Sequence, residues 1–374
     1  MAERFLVGYP LRGRWHRPDI DVVSAYVDQT PENDLSRKRA SEFGFKIYPS
    51  VAEALRCGGS KLAVDAVLLI GEHGNYPINE IGQRQYPRYE LFKQIVDVFR
   101  QDGRTTPVFN DKHLSWKWEW AKEMAETSRA LKFPFLAGSS LPVTWRMPAI
   151  DLPYGAEVEE IVCVAHGPVD IYDFHALETM QCVAERRRGG ETGVAMMHAL
   201  RGPSVWDAMN TGSWNGGGWN PKLFEACLSR SQTLTQPESF SHRYPTSEQM
   251  RQFVKDPVAY RFAYRDGLKA TMLLMNGLVD DFNFAARLKG AGTPLSTMFH
   301  LPPNPNVVYS AALMSKVEEM FMTGKAPYAV ERTLLTSGLV AAGLQSLALG
   351  QKRIETPHLA VRYRAPRESQ FWRS

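Results

Sequence analysis

Hydrophobic and polar positions divide this chain into two stretches with different periods. In the first, short apolar runs alternate with helical spacing, and residues 20–28 (IDVVSAYVD), 64–71 (VDAVLLIG), 107–109 and 134–138 (PFLAG) read as strands. Run 64–71 is almost uniformly apolar, the mark of a parallel strand covered on both faces. Helical spacing runs over about 33–43, 50–55 and 88–101, with Gly44 and Gly103 placed for left-handed C-caps. Ser50 with Glu53 reads as a capping box, and Ser115 is placed to cap a further helix. Strand and helix in alternation predict a doubly wound parallel sheet.

Beyond about residue 150 the pattern changes. Strands at 158–165 and 193–200 flank a helix at 174–187. Residues 260–290 read as an antiparallel meander of three strands. Tyr260, Phe262 and Tyr264 alternate with Arg261, Ala263 and Arg265, Phe282, Phe284 and Ala286 follow the same period, and Asp266-Gly267 and Asn276-Gly277 mark hairpin turns. Helices at 307–322 and 329–349 follow. Segment 204–247 is irregular and rich in Gly, Trp and Ser, fit either to cover a ligand or to pad a domain or subunit contact. The fold class is therefore α/β: an N-terminal Rossmann-like parallel-sheet domain (1–148), an α+β domain with an open, largely antiparallel sheet (149–350), and a C-terminal tail (351–374).

A length of 374 residues exceeds one ordinary compact core, which supports that division. The 44 basic and 40 acidic residues are interleaved, so no basic stripe points to nucleic acid. The densest basic cluster, 185–190 (ERRRGG), falls where a helix ends and suits its dipole. Four scattered cysteines match no metal or disulfide spacing, no apolar run reaches a membrane span, and no signal-peptide core is visible. The expectation is a soluble cytoplasmic protein with reduced thiols and no metal.

Ligands of open parallel sheets bind at the carboxyl ends of the strands. Here those ends carry Asp28, then Gly71-Glu72-His73, then Asn110-Asp111-Lys112-His113. Asp28 suits the ribose hydroxyls of a dinucleotide and leans toward NAD over NADP, but the glycine-rich phosphate loop and its strand are absent. In the second half, AHGPVDIYDFHALETMQ gathers His166, Asp170, Asp173, His175 and Glu178, with His175 and Glu178 on one helix face. A histidine across a cleft from a lysine makes a proton-transfer pair. Local capping and pairing is the competing reading. A metal-dependent hydrolase using His73, His166, His175 and Glu178 is another, though no standard ligand spacing supports it.

The order of elements and several motifs in register resemble the Gfo/Idh/MocA oxidoreductases, the relatives of glucose–fructose oxidoreductase and inositol dehydrogenase, over about residues 22–350. Asp111-Lys112-His113 resembles the family's Glu-Lys-Pro, and PFLAGSSLPVTWR resembles the strand and loop leading to the substrate, which implies Ser139, Ser140 and Arg146 as substrate contacts. His175-Ala176-Leu177-Glu178 resembles the helix-start His-x-x-Asp, with Asp170, Asp173 and Glu178 beside the substrate. LLIGEHG stands at the Thr-Pro-Asn strand end, so Gly71, Glu72 and His73, with Asn110 and Asp111, would border the cofactor. The departures are Asp for Glu, His113 for Pro, Ile171 for an aspartate, and the lost Thr-Pro-Asn.

The resemblance implies an NAD(P)-dependent oxidoreductase of a sugar, cyclitol or related polyol. Lys112 would polarise the reacting oxygen and His175 would move its proton. It also implies a homodimer or tetramer through the second-domain sheet, where the Tyr260–Phe284 aromatic face is the candidate surface. The alternatives are a non-catalytic sugar-binding or scaffold homologue that has lost dinucleotide binding, and a chain whose start is truncated. Trp145, Arg146, Trp214 and Trp219 would set the choice of substrate.

Overall fold

The computed structural model describes residues 1–72, 74–302 and 307–373. Helix α1 (Glu3–Val7) leads into a small antiparallel hairpin of β1 (Tyr9–Leu11) and β2 (Arg14–His16). Then come β3 (Ser24–Tyr26), α2 (Ser36–Phe43), β4 (Lys46–Tyr48), α3 (Val51–Leu55), β5 (Val67–Leu69), α4 (Arg88–Asp102), β6 (Val108–Asp111), α5 (Trp118–Ala130) and β7 (Phe135–Gly138). The expected parallel sheet is present in two pieces: β3 pairs with β4, and β5, β6 and β7 pair in that order. No ladder joins β3 to β5 among the described residues. Gly44 and Gly103 close α2 and α4 in the left-handed conformation, and the Ser50 hydroxyl accepts from the Glu53 N–H at the start of α3. Ser115 corrects the capping expectation. Its Oγ accepts from Lys117 N at 3.2 Å, a local turn, and α5 starts at Trp118 with no side-chain cap.

The second half begins with β8 (Trp145–Met147) and β9 (Val158–Ala165), followed by α6 (Tyr172–Ala184), β10 (Val194–Arg201), α7 (Pro203–Asn210), α8 (Pro221–Leu228) and α9 (Ser247–Phe253). It continues through β11 (Val258–Tyr264), β12 (Lys269–Leu274), β13 (Phe282–Leu288), β14 (Leu295–His300), α10 (Ala311–Thr323), α11 (Glu331–Ala348) and β15 (Ile354–Glu355). These strands form one sheet in the order β15-β10-β11-β12-β9-β13-β14-β8. All neighbours are antiparallel except β12 and β9. The expected meander is therefore wrong at its second turn. β9 inserts between β12 and β13, and Asn276 is no hairpin turn but a clasp whose Oδ1 accepts from Gly167 N and whose Nδ2 donates to Gly167 O.

Both faces of this sheet are covered by the chain itself. The aromatic face, Tyr260, Phe262, Tyr264, Phe282 and Phe284, is buried in the main core against α6 and α11, which corrects its assignment as an oligomer surface. The opposite face buries Val162, Val164, Ala259, Leu273 and Ala285 beneath Trp206, Leu223, Phe224, Cys227 and Met250. Segment 204–247 thus supplies helices that seal the sheet. Residues 351–374, expected as a tail, add β15 to one edge and bury Leu359, Phe371 and Trp372. Arg186 and Arg187 do more than answer a helix dipole: Arg186 lies 3.3 Å from Asp151, while buried Arg187 pairs with Glu191 at 3.1 Å and Asp266 at 2.7 Å.

The parallel strands are sandwiched. Leu69, Val108, Phe135 and Ala137 face Phe92, Ile95 and Phe99 of α4 and Met124 of α5, while Phe109 and Leu136 turn toward α1 and α10. α11 runs between the two halves and packs closely because two of its residues lack side chains. A Cβ on Gly343 would sit 2.3 Å from the Tyr260 ring, and one on Gly338 would sit 2.4 Å from Leu359. In an exposed helix Gly→Ala gains about 1 kcal/mol. Here the clash wins, and Gly343→Ala should cost ~1–3 kcal/mol and lower the thermal midpoint. A raised midpoint in calorimetry would contradict this packing.

Candidate active site

β6 ends in four consecutive buried residues, and the chain then turns at Lys112 with φ of 65°. Left-handed backbone costs a lysine ~1–2 kcal/mol, so its surroundings must hold it there. The Lys112 N–H donates to Gly138 O at 3.0 Å, and the Asn110 side-chain amide reaches the carbonyls of Asp111, Lys112 and His113 at 3.2–3.4 Å. The Lys112 ammonium is aimed between two carboxylates, 2.7 Å from Glu72 Oε2 and 3.1 Å from Asp111 Oδ2. Burial pulls the lysine pKa down, but Asp111 and Glu72 more than offset that and leave it raised. Asp111 is pushed up by burial, and Glu72 adds to the rise against the pull of Lys112. The lysine is a fixed cation.

A second buried cation stands behind it. Arg88 occupies the first position of α4, where the helix dipole disfavours positive charge, and is 1% exposed. Burial lowers its pKa, opposed first by Asp111 and Glu72, and its Nη1 lies 2.9 Å from His113 Nε2 with Tyr86 beneath the guanidinium at 4.4 Å. Burial, then Arg88, push His113 well down, so this imidazole is neutral. Gly71 makes room: a Cβ there would meet Arg88 Cγ at 3.1 Å. Sequence reading missed Arg88. The available signal was an arginine set against the dipole at a helix start.

The second half supplies the facing wall. His175 lies in the first turns of α6 beside Tyr172 and Phe282, with ring centroids at 5.5 and 6.3 Å. Burial lowers its pKa to about 3, helped by the Lys112 charge, and its Nδ1 is buried with no partner among the described residues. Asp173 is fully buried, accepts from the Tyr260 hydroxyl at 3.1 Å, and is pushed up to about 6 by burial. Asp170, also left-handed at φ 66°, accepts from Arg84 N at 2.6 Å and is pushed up to about 7 by burial. That bond ties the connection 70–87 of the first half to the second.

Other expected ligand contacts are committed elsewhere. Glu178 accepts from Ser139 N at 2.9 Å, Thr333 Oγ1 at 3.2 Å and Thr336 Oγ1 at 3.1 Å, so it and Ser139 form a buried clasp and not a substrate surface. Arg146 is buried against Asp151 at 2.8 Å, between Phe299 and Phe371. Ser140 is half-buried beyond the end of β7. Trp145 packs on Trp372, Trp219 is buried in the sealed outer face of the sheet, and half-buried Trp214 lies under the Arg261 guanidinium at 4.4 Å. His73 lies outside the described residues.

Asp28 reaches the seam between β3 and β5, where its oxygens accept from Tyr26 at 3.2 Å and Tyr76 at 3.1 Å. Gln29 Oε1 accepts from Asn75 N at 2.8 Å. The seam is thus closed by side chains bonded to one another, with no G-x-G-x-x-G turn among them. These residues do not fit a dinucleotide pyrophosphate, which needs a ring of open backbone N–H groups.

No protein-family model matches this chain, and no curated protein matches it. Solved structures do. Myo-inositol dehydrogenase from Lactobacillus casei, solved with NAD(H) and myo-inositol, aligns over 94% of this chain and 91% of its own at 10% identity and a TM-score of 0.53. GenD2 from gentamicin A biosynthesis, solved with NAD, covers 91% and 90% at 11% identity and a TM-score of 0.55. A probable dehydrogenase from Thermotoga maritima covers 90% and 92% at 11% identity and a TM-score of 0.53. The chain has a Gfo/Idh/MocA-like fold.

Among the described residues, no helix is long and apolar enough to cross a membrane, and no group of three or more His, Cys, Asp or Glu is arranged to hold a metal. Asp170 makes the electrostatics testable. A carboxylate whose pKa is raised on folding destabilises the fold above that pKa, and the penalty fades as pH falls. With its pKa near 7, Asp170→Asn should raise the thermal midpoint at pH 8. The gain should shrink toward pH 5, where the wild-type group is protonated. A pH-independent difference would contradict the burial of its charge.

Proposed function

We propose that the crevice between the halves binds a neutral sugar- or cyclitol-like polyol and moves a proton at one of its hydroxyls, as part of oxidoreduction at a CH–OH group. One observation carries the reading: Lys112 and His175 lie near enough for the lysine charge to depress the imidazole, and their environments push their ionisation apart. Lys112 stays charged and donates to the reacting oxygen. His175 stays neutral, with an unpartnered Nδ1 able to accept the hydroxyl proton. Burial makes the resulting imidazolium costly, so the proton is held only briefly. Glu72 and Asp111 fix the lysine and, like Arg88 on His113, are not offered as proton carriers.

NAD-bound structures among the neighbours support a nicotinamide partner for this fold. The seam at Asp28 and Tyr76 does not supply its phosphate cradle, so the proposal stops at the proton. That seam favours a second reading, a polyol-binding homologue without a redox step. Buried, unpaired Cys163, Cys182 and Cys227 fit a reducing compartment.

Calorimetric titration with neutral cyclitols and sugars, alongside NADH and NADPH followed by fluorescence, separates the two readings. Saturable polyol binding with turnover supports the first. Polyol binding with no nicotinamide response supports the second. Lys112→Ala should abolish turnover and weaken polyol binding by ~10-fold or more, about 1.4 kcal/mol, while leaving the far-UV spectrum intact. Unchanged binding and turnover would remove Lys112 from the site.

A further inference from the structure

The clamp on Lys112 has two unlike jaws. Asp111 belongs to a strand, is 1% exposed, and holds the ammonium from below with both oxygens, at 3.1 and 3.3 Å. Glu72 belongs to the connection 70–87 after β5, and its side chain is 20% exposed, close to the 22% of Lys112 itself. The two side chains meet at 2.7 Å and share a similar partial exposure, which Asp111 does not. Glu72 also hydrogen-bonds with Asp111, so the two carboxylates and the ammonium form one cluster, in which Asp111 is the sealed member and Glu72 the solvent-facing one. The connection that carries Glu72 is anchored further along its length, by Tyr76 to Asp28, by Gln83 Nε2 to Trp116 O at 2.8 Å, and by Arg84 N to Asp170.

We infer that Glu72 is a displaceable counter-ion: it holds Lys112 in position until hydroxyl oxygens of a bound polyol take its place, whereas Asp111 stays put. Glu72 is then a positioning residue. Its exchange leaves the lysine donating to the ligand, with one carboxylate beneath it and a second released to accept from a neighbouring ligand hydroxyl. A neutral polyol can complete this exchange because it brings oxygen acceptors and O–H donors together. A sugar phosphate or sugar acid would place an anion beside Glu72 and Asp111. The other cation at hand, Arg88, is already engaged with His113 and Tyr86. The choice of polyol as the displacing ligand rests on the reading above. The clamp itself rests on geometry alone.

Lysine acetylation read by mass spectrometry tests the clamp without turnover. Only the neutral amine reacts, and each pKa unit changes its fraction tenfold. Glu72→Gln keeps the shape of the side chain and removes one of the charges that hold the proton on Lys112. The variant should be acetylated at Lys112 ~10-fold faster or more at pH 9, with an unchanged rate at exposed Lys222 and Lys255 as internal references. Saturating myo-inositol should slow labelling of Lys112 in both proteins and bind the variant more tightly, since no carboxylate then has to be displaced. An unchanged Lys112 rate in Glu72→Gln, with myo-inositol still protecting, overturns the displaceable jaw and leaves the polyol reading standing. Faster labelling with no effect of myo-inositol, galactitol or glucose overturns the exchange and the polyol reading together. Tighter binding of inositol phosphate than of myo-inositol would overturn the selection for neutral ligands.

Discussion

One buried carboxylate, Glu178, holds this architecture in register. It sits in the middle of α6, fully buried, and takes hydrogen bonds from the end of β7 and from two threonines of α11. Three elements distant in sequence thereby meet at one side chain. Burial pushes its pKa up, with the nearby Arg332 charge and the three hydrogen-bond donors opposing. Leaving such a group unsatisfied costs more than any single bond it makes. Gly138 belongs to the same joint, since a Cβ there would meet Glu178 Oε2 at 2.6 Å. His175 lies one turn away on α6, and β7 pairs Gly138 with Asp111 of β6. The clasp therefore fixes His175 relative to the Asp111–Lys112 turn although it touches neither.

Within that frame the polar groups divide by charge state. Lys112 and Arg88 are cations surrounded by Glu72, Asp111 and Asp170, whereas His113 and His175 are kept neutral by burial and by those same cations. Charges of opposite sign stabilise one another in the crevice, and the imidazoles are left as neutral donors and acceptors. The left-handed backbone at Lys112 and Asp170 belongs to this arrangement. Lysine does not adopt it readily in isolation, whereas aspartate does so occasionally. Both are held by a backbone hydrogen bond or an accepting carboxylate that spans different elements.

Much of the fold was legible because it is locally encoded. Gly44, Gly103 and Ser50 act where their chemistry places them, and the apolar run before Gly71 is a parallel strand. The misreadings arose where distant contacts decide. Asn276-Gly277 has the composition of a hairpin turn, yet β12 pairs in parallel with β9, more than a hundred residues away, and nothing local records that. The aromatic alternation of β11 marks a buried face but does not say which helix covers it. Of the site, Lys112 and His175 could be proposed from motif and position, whereas Glu178 and Arg146 carry the same polar signature and serve packing. A sequence records that a residue is ionisable. Whether its partners come from a ligand or from its own chain is a tertiary fact.

The surroundings of Lys112 consist of two parts with different mechanical support. Lys112 and His175 rest on β6, β7, α6 and α11, which share one core and one polar clasp. The seam side rests on β3, β4 and β5; among the described residues no ladder joins β3 to β5, and exposed bonds at Asp28–Tyr76 and Gln29–Asn75 bridge them. Solvent-exposed bonds of that kind contribute little each, so the seam can rearrange at a small cost compared with the clasp. The Lys112–His175 side is therefore mechanically independent of the seam. A change that remodels the seam need not disturb the lysine, whereas a change at Gly138, Glu178 or Thr333 moves Lys112 and His175 relative to one another.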